Sequence, residues 1–151
     1  MTSSSRTDLR LGSFLPYVLN SLAERVSGGL ARIYADEYQL SVPEWRVIAN
    51  LAEHGTLNAR QIVDFTAMEK SKVSRAVGNL SARGLVSQQR AREDSRAKDL
   101  ALTAAGKALY RSIVPKVLAW ERELLGDLNP VEYRDLMYAL EKLGSRLKSM
   151  Q

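Results

Sequence analysis

Apolar residues recur at three- and four-residue intervals in the segment VSRAVGNLSARGLV, which spans residues 73–86. The apolar positions are Val73, Ala76, Val77 and Leu80. This spacing predicts a helix with one buried face. At about 100° per residue, the opposite face carries Ser71, Arg75 and Gly78, with Lys72, Ser74 and Asn79 beside them. Such a helix suits an ordinary protein surface or the groove of a DNA duplex, and its sequence context decides between the two.

The residues on either side of this helix complete a pattern. A short helix is predicted over residues 58–65, and a turn at residues 66–68 joins it to the helix that begins near Glu69. Gly84 ends that second helix, because glycine readily adopts the positive φ of a helix C-cap. Residues 85–89 and 98–102 are predicted to form two short strands on either side of the polar loop RAREDSRA. This order predicts a winged helix-turn-helix.

The positive charge of the chain is concentrated in the same region. Between residues 60 and 98 there are nine lysines and arginines against four acids, which leaves +5, the formal net charge of the entire chain. The positive and negative charges of the flanking regions therefore cancel. A basic patch confined to the helix-turn-helix is the electrostatic footprint of a protein that binds a phosphate backbone.

Several classes of site are excluded by composition. The chain contains no cysteine, so it has no disulfide, no thiolate nucleophile and no cysteine-based zinc site. No segment has the apolar length of a membrane span, and the start MTSSSRTDLR lacks a signal-peptide core, so we expect a soluble cytoplasmic protein without membrane association. His54 is the only histidine and is expected in a last helical turn, where it favours the helix dipole. We expect no metal site and no cofactor.

Apolar stripes at helical spacing also lie outside the basic region. They are predicted over residues 11–38, over residues 103–127 with Pro115 inside, and in a final helix that begins at Pro130. A winged helix-turn-helix of about sixty residues does not need three such helices to cover its core. We therefore expect them to bury each other across a two-fold axis. The predicted fold class is mainly α with a small β wing. The predicted division is a flexible tail (1–8), dimerisation helices (9–41 and 103–151) and a DNA-binding lobe (42–102).

Three stretches, taken in order, resemble the MarR family of transcriptional regulators. They are VPEWRVIANLAEHG, LNARQIVDFTAMEKSKVSRAVGNLSARGLV and EDSRAKDLALTAAGKAL, between residues 42 and 109. The most specific pieces are Ser74-Arg75 with Leu80 and Gly84-Leu85, and Asp94-Ser95-Arg96 followed by Leu102-Thr103-Ala104-Ala105-Gly106. The resemblance implies a homodimer with a triangular, mostly helical body. Each subunit would place one recognition helix in the major groove of double-stranded DNA and its wing in the adjacent minor groove.

The resemblance also implies which residues touch DNA. The recognition-helix contacts would be Ser71, Lys72, Ser74 and Arg75, and the wing arginine would be Arg96. Arginine can bond both O6 and N7 of guanine, and it suits the concentrated negative potential of a narrow minor groove. Asp94 would hold the guanidinium of Arg96 through a charge-assisted bond. Two alternatives remain open: a surface salt bridge for Arg75, and a pair of Asp94 with Arg96 that stiffens the wing without touching DNA.

A narrower resemblance concerns a ligand. Family members often respond to small aromatic acids or phenolics, and the start FLPYVLNSLAERVS leading to PEWR resembles a subgroup that senses hydroxycinnamoyl- or benzoyl-type coenzyme A thioesters or the corresponding acids. The candidate contacts are Tyr17, Trp45 and Arg46, which offer aromatic surface and a cation for a carboxylate or phosphate. Trp45 also fits the core of a helix that is predicted to begin at Pro43 and end near His54, and Arg46 also fits the surface of that helix.

These observations predict a ligand-responsive homodimeric repressor that a small aromatic effector releases from a palindromic operator. An enzyme is not expected, because the sequence has no glycine-rich phosphate loop, no Ser/His/Asp arrangement and no metal-ligand cluster, and hence no catalytic residues. The alternative is a winged-helix module that binds a protein partner without specific DNA binding. The concentration of basic charge in the motif argues against that alternative.

Overall fold

The computed structural model describes residues 8–90 and 97–151. Those residues form six α-helices and two β-strands. In chain order they are α1 (Leu15–Tyr38), α2 (Val42–His54), α3 (Ala59–Thr66), α4 (Lys70–Ala82), β1 (Val86–Arg90), β2 (Lys98–Leu102), α5 (Ala104–Leu124) and α6 (Pro130–Ser149). The fold is mostly helical with one two-stranded antiparallel sheet, which confirms the predicted fold class.

The first helix begins four residues later than its apolar stripe predicts. Residues Leu11–Ser13 form a short 3-10 turn, and Phe14 is extended (φ −94°, ψ 111°) before α1 starts at Leu15. Pro16 explains the position, because its missing N–H is tolerated only among the unpaired donors of a helix start. The helix ends at Gln39, which adopts the left-handed conformation with φ 53°.

The next two helices each begin with a reciprocal cap. Ser41 Oγ accepts from the backbone N–H of Glu44, whose carboxylate accepts from the N–H of Ser41 at 2.8 Å. Asn58 and Gln61 make the same pair of bonds at the start of α3. Each box satisfies two backbone donors that a helix start otherwise leaves unpaired. At the other end of α2, the ring of His54 stacks on Phe65 of α3, with centroids 4.2 Å apart, so the histidine joins these helices.

The sheet is short and closes against the helix-turn-helix. Val86 pairs with Leu102, and the register runs to Arg90 opposite Lys98. A single bridge adds Leu57 to the outer edge of β2, where Leu57 and Leu100 exchange both backbone hydrogen bonds (3.0 and 2.8 Å). The residue that precedes α3 is therefore fixed to the strand that precedes α5.

The hydrophobic core is formed by α1 to α5 together with the sheet. Its most buried large side chains are Tyr34, Val47, Ile48, Leu51, Ile62, Val73, Leu80 and Ile113. They come from α1, α2, α3, α4 and α5, so α4 is held by packing on its apolar face. Burial of each such side chain contributes roughly 1.5–3 kcal/mol.

The chain forms two compact units, of which the first ends at Val114 and the second is Pro115–Gln151. The second unit contains the end of α5 and all of α6, which starts from a capping box between Asn129 and Glu132. No residue of α6 is buried. In the described residues, no helix is long and apolar enough to cross a membrane.

Candidate nucleic-acid interface and ligand cleft

One face of α4 carries the four residues predicted to contact a DNA groove. The helix follows a turn in which Ala67 adopts the left-handed conformation (φ 55°). Its apolar face is at most 7% exposed and consists of Val73, Ala76, Val77 and Leu80. The predicted contacts, all exposed, are Ser71, Lys72, Ser74 and Arg75. The fold thus presents these four side chains on one helix outside the core, and their contact with DNA stays a prediction.

The two cations on this surface are Lys72 and Arg75. Across residues 8–90 and 97–151, the side chains of Lys72 and Arg75 have no hydrogen-bond or ion-pair partner. The alternative of a surface salt bridge for Arg75 therefore finds no partner in the described part of the chain. A free guanidinium and a free ammonium one turn of helix apart can each bind a phosphate or a base edge.

The end of the sheet adds a second basic pair. Arg90 of β1 lies opposite Lys98 of β2 at the last described register position, and both are exposed. Like charges directly opposite each other destabilise a strand pair. A bound anion would relieve that repulsion. Both residues belong to the basic region of the sequence, but only the strand register places them opposite each other.

The predicted wing contacts lie beyond these strands. Asp94 and Arg96 fall within residues 91–96, outside the described residues. Their roles, as a minor-groove arginine and its carboxylate partner or as a wing-stiffening pair, stay predictions.

The segment LTAAG fixes the sheet to the start of α5. Thr103 Oγ1 donates to the carbonyl of Gly84 at 2.6 Å and accepts from the N–H of Gly106 at 3.0 Å. Gly106 is buried, and a Cβ there would overlap the backbone carbonyl of Leu85. The glycine therefore permits a close approach between α5 and the residue at which the chain leaves α4.

Two other glycines are not explained by crowding. A Cβ added at Gly78 on the exposed face of α4, or at Gly28 in α1, meets no atom within 4 Å. Relief of crowding against a neighbouring helix is therefore excluded for Gly78 within the described residues.

Trp45 connects three helices through aromatic stacking. Its ring lies 5.4 Å from Tyr34 of α1 and 6.0 Å from Tyr110 of α5, with interplanar angles of 21° and 20°. Trp45 and Tyr110 are half-buried, whereas Tyr34 is 1% exposed. The core interpretation and the ligand interpretation of Trp45 are thus compatible, because the indole packs in the subunit and still reaches solvent. Neither tyrosine was singled out from the sequence, since both stand in helical stripes.

Arg46 lies beside this stack. Its Nη2 donates to Ser27 Oγ of α1 at 3.1 Å. Burial raises the pKa of the Tyr34 phenol, and the nearby charge of Arg46 opposes that rise. The sequence-predicted pair Trp45 and Arg46 is therefore brought to one junction between α1 and α2.

Tyr17 is not brought to that junction within the subunit. It is 48% exposed near the start of α1. Seventeen residues separate it from Tyr34 on the same helix, which corresponds to about 25 Å along the axis. A ligand contact by Tyr17 stays a prediction, and it would require a surface other than the one around Trp45.

A cleft of about 450 Å³ lies between α2, β2 and α5. Its lining residues are Leu51, Ala52, Gly55, Thr56, Ala101, Leu102, Lys107, Tyr110 and Arg111. The volume lies in the range of small-molecule sites. Lys107 and Arg111 stand one helical turn apart, and neither side chain has a partner among the described residues. The cleft thus combines an apolar wall with two free cations, and its one aromatic wall, Tyr110, also stacks on Trp45.

These features define the class of the protein: a winged helix-turn-helix that binds DNA. The sequence model of the MarR family matches residues 38–97. The transcriptional regulator FarR of Neisseria gonorrhoeae is 31% identical over 111 residues, covering 70% of this chain and 75% of that protein. A MarR family regulator from Silicibacter pomeroyi is 32% identical with a TM-score of 0.79, covering 93% of this chain and 92% of that one.

The chain belongs to the MarR family of transcriptional regulators, whose members regulate transcription and are not enzymes. A third similar structure is BpsR of Bordetella bronchiseptica, whose DNA binding is regulated by 6-hydroxynicotinic acid. It is 25% identical with a TM-score of 0.71, covering 84% of this chain and 98% of that one.

Proposed function

We propose that the protein is a homodimeric repressor that binds a palindromic operator and is released by a small aromatic carboxylate. The observation that carries the DNA-binding part is the exposed face of α4, where Lys72 and Arg75 have no partner among the described residues and lie opposite a fully packed apolar face. Each subunit would place this helix in a major groove. Arg75 would contact guanine, and Ser71, Lys72 and Ser74 would contact bases or phosphates.

Homodimerisation is supported by apolar surface that the subunit does not cover. On α6 the exposed side chains include Leu136 (42%), Met137 (49%) and Leu147 (59%). Near the start of α1 they include Leu15 (49%) and Leu22 (49%). Each of these two helices carries several exposed large apolar side chains, and a large exposed apolar patch on a monomer usually marks an interaction site. A second copy of the chain, related by a two-fold axis, would bury these faces.

The effector site is proposed for the cleft between α2, β2 and α5. A carboxylate would bind Lys107 and Arg111, and an aromatic ring would lie against Tyr110 and the apolar wall. Trp45 would respond to the ligand through its stacking on Tyr110. Arg46 would bind any second anionic group at the junction between α1 and α2. The regulation of BpsR by 6-hydroxynicotinic acid, which carries a ring and a carboxylate, supports this class of ligand.

Release from DNA would follow from a change in the populations of different arrangements of the helices. The stack of Tyr110, Trp45 and Tyr34 joins α5, α2 and α1, so a ligand against Tyr110 favours one arrangement of these helices. If that arrangement separates the two recognition helices by a distance that no longer matches half-sites about one helical turn apart, operator affinity falls.

The test is binding of the purified dimer to duplex DNA from upstream of its own gene. Binding is measured over a salt titration, alone and with benzoate, 6-hydroxynicotinate, p-coumarate or p-coumaroyl-coenzyme A. We expect palindrome-specific binding with a steep salt dependence, weakened by at least one of these compounds. Specific binding that none of them weakens would reject the effector class. A dimer that ignores duplex DNA at low salt would favour the protein-binding alternative.

Two variants test whether the effector binds in the proposed cleft or elsewhere. Arg111→Ala removes one of the two cations in the cleft, and Arg122→Ala removes an exposed cation elsewhere on α5. We expect Arg111→Ala to keep operator binding but to need about tenfold more carboxylate for release, the loss expected for one charge-assisted bond. Arg122→Ala should respond as the unmodified protein does. Equal responses of the two variants would place the effector outside the cleft.

A further inference from the structure

Arg83, the residue that follows α4, reaches back across 44 residues of sequence to the end of α1. Its Nη1 donates to the backbone carbonyl of Gln39 at 2.7 Å, and its Nη2 donates to the carbonyl of Tyr38 at 3.0 Å. The backbone N–H of Arg83 meanwhile donates to the carbonyl of Asn79 in the last turn of α4. One residue thus closes the end of α4 and binds the end of α1.

The end of α1 presents backbone carbonyls to donors from elsewhere in the fold. The last carbonyls of a helix have no intrahelical donor. At this end the N–H groups of Gln39 and Leu40 both donate to the carbonyl of Tyr34, and the Gln39 side chain donates to the carbonyl of Asp36 at 2.7 Å. The carbonyls of Tyr38 and Gln39 accept the two N–H groups of Arg83.

A guanidinium suits that position for two reasons. Its fixed fork can supply two parallel N–H donors, which an ammonium cannot do with the same geometry. Its positive charge also lies at the negative end of the α1 dipole, which strengthens both bonds. Both terminal nitrogens of Arg83 are engaged, whereas Lys72 and Arg75 on the same helix-turn-helix have no partner in residues 8–90 and 97–151.

We propose that Arg83 is a positioning residue for operator recognition: its two bonds hold the end of the recognition helix α4 at a fixed place relative to α1. This inference rests on the proposed dimer, in which α1 contributes to the interface between subunits. In that dimer the two hydrogen bonds from Arg83 to α1, here called the Arg83 clamp, set the separation of the two recognition helices. Its loss lets that separation vary without removing a contact to DNA.

The first experiment measures preference for half-site spacing. The operator and derivatives with one base pair inserted or deleted between the half-sites are titrated with the dimer at several salt concentrations. Unmodified protein prefers one spacing, since each base pair changes both the distance and the rotation between half-sites. We expect Arg83→Ala to weaken binding to the preferred operator about tenfold, as the loss of charge-assisted bonds predicts, while the altered spacings change far less.

Two further variants separate this role from others. Arg83→Lys keeps the charge but not the fork, so its spacing preference should resemble that of Arg83→Ala. A phosphate contact would instead be preserved by lysine, and alanine would lower the slope of log affinity against log salt by about one. Arg60→Ala, which also removes one exposed cation from the helix-turn-helix, should weaken all spacings equally. A spacing ratio that is unchanged in Arg83→Ala would overturn the proposal.

The second experiment needs no DNA and no dimer. Because the chain lacks cysteine, spin labels can be placed at Glu24→Cys in α1 and Asn79→Cys in α4, both exposed, with unlabelled protein in excess. We expect the distance distribution within one subunit to broaden in Arg83→Ala and not in Arg60→Ala. If the unmodified protein shows no spacing preference, the proposed dimer is rejected. The distance measurement still tests the Arg83 clamp, because a distribution that is unchanged in Arg83→Ala would reject the clamp.

Discussion

Gly106 and the carbonyl of Leu85 approach each other so closely that no side chain fits between them. The same carbonyl accepts a hydrogen bond from the N–H of Thr103 at 3.1 Å, so it cannot turn away without losing a partner. A glycine in the first turn of α5 thereby determines how near that helix lies to the end of the recognition helix.

Gly106→Ala should destabilise the fold, because the added methyl meets backbone and not the flexible end of a side chain. Overpacking of this kind costs roughly 1–3 kcal/mol. Thermal and chemical unfolding followed by circular dichroism would measure it, and a melting temperature equal to that of the unmodified protein would contradict the close approach.

Gly78→Ala should have the opposite effect on stability. The new methyl meets nothing within 4 Å, and alanine is favoured over glycine inside a helix by roughly 1 kcal/mol. If α4 approaches a phosphate at Gly78, the same variant binds the operator less tightly although it unfolds at a higher temperature. Paired unfolding and binding measurements test both effects, and a variant that gains stability with full affinity would show that nothing approaches Gly78 on DNA.

Arg75→Ala and Lys72→Ala should weaken DNA binding in different ways. Loss of a guanine contact by Arg75 costs roughly 1–3 kcal/mol and relaxes the sequence preference at one base pair of each half-site. Loss of a phosphate contact by Lys72 should weaken all duplexes alike and lower the salt slope by about one. Binding to a panel of single-base operator variants at two salt concentrations distinguishes them, and identical profiles would contradict the assigned roles.

Leu136→Glu should dissociate the proposed dimer, since the variant places a charge in an exposed apolar stripe of α6. Sedimentation should give the monomer mass, and the melting temperature should lose its dependence on protein concentration. Ser145→Glu, an exposed position on the same helix, provides the matched control and should remain dimeric. Two variants of equal mass would place the interface elsewhere.

Ionisation of Tyr34 should lower the stability of the folded protein at alkaline pH. Burial raises the pKa of its phenol above the ordinary value near 10, so the folded state holds that proton more tightly than the unfolded state. The resulting stability is fully present below pH 10 and is lost as the pH rises through the folded pKa. Tyr34→Phe should therefore unfold less steeply with pH above 10, as urea midpoints from pH 8 to 11 would report. Parallel curves for the two proteins would contradict this assignment.

Local sequence signals predicted most of the elements but not the contacts between them. The stripe of Val73, Ala76, Val77 and Leu80 correctly predicted both faces of α4, because helical period and burial follow from neighbouring residues. Gly84 was correctly predicted as a positive-φ terminus, with φ 72°. Arg83 could not be linked to Tyr38 and Gln39, because no periodicity relates residues 44 positions apart. The stack of Tyr110 on Trp45 was missed for the same reason.

The same distinction between local sequence signals and contacts between distant residues applies to the candidate sites. The exposed positions of Ser71, Lys72, Ser74 and Arg75 follow from the helical period, so their shared surface was predictable even though their contact with DNA is untested. The cleft was not predictable, since its walls come from α2, β2 and α5. The spacing of Lys107 and Arg111, four residues apart in one helix, was the one available local signal of its charge.

The bridge between Leu57 and Leu100 also has a consequence for aggregation. A two-stranded sheet ordinarily leaves a row of unpaired backbone groups along each edge, and such an edge can recruit strands from other molecules. On β2 the outward-facing groups at the centre of the strand belong to Leu100, and Leu57 already occupies both of them. What remains of this edge on either side of Leu100 is short, so Leu57 protects the β2 edge of the sheet against association between copies.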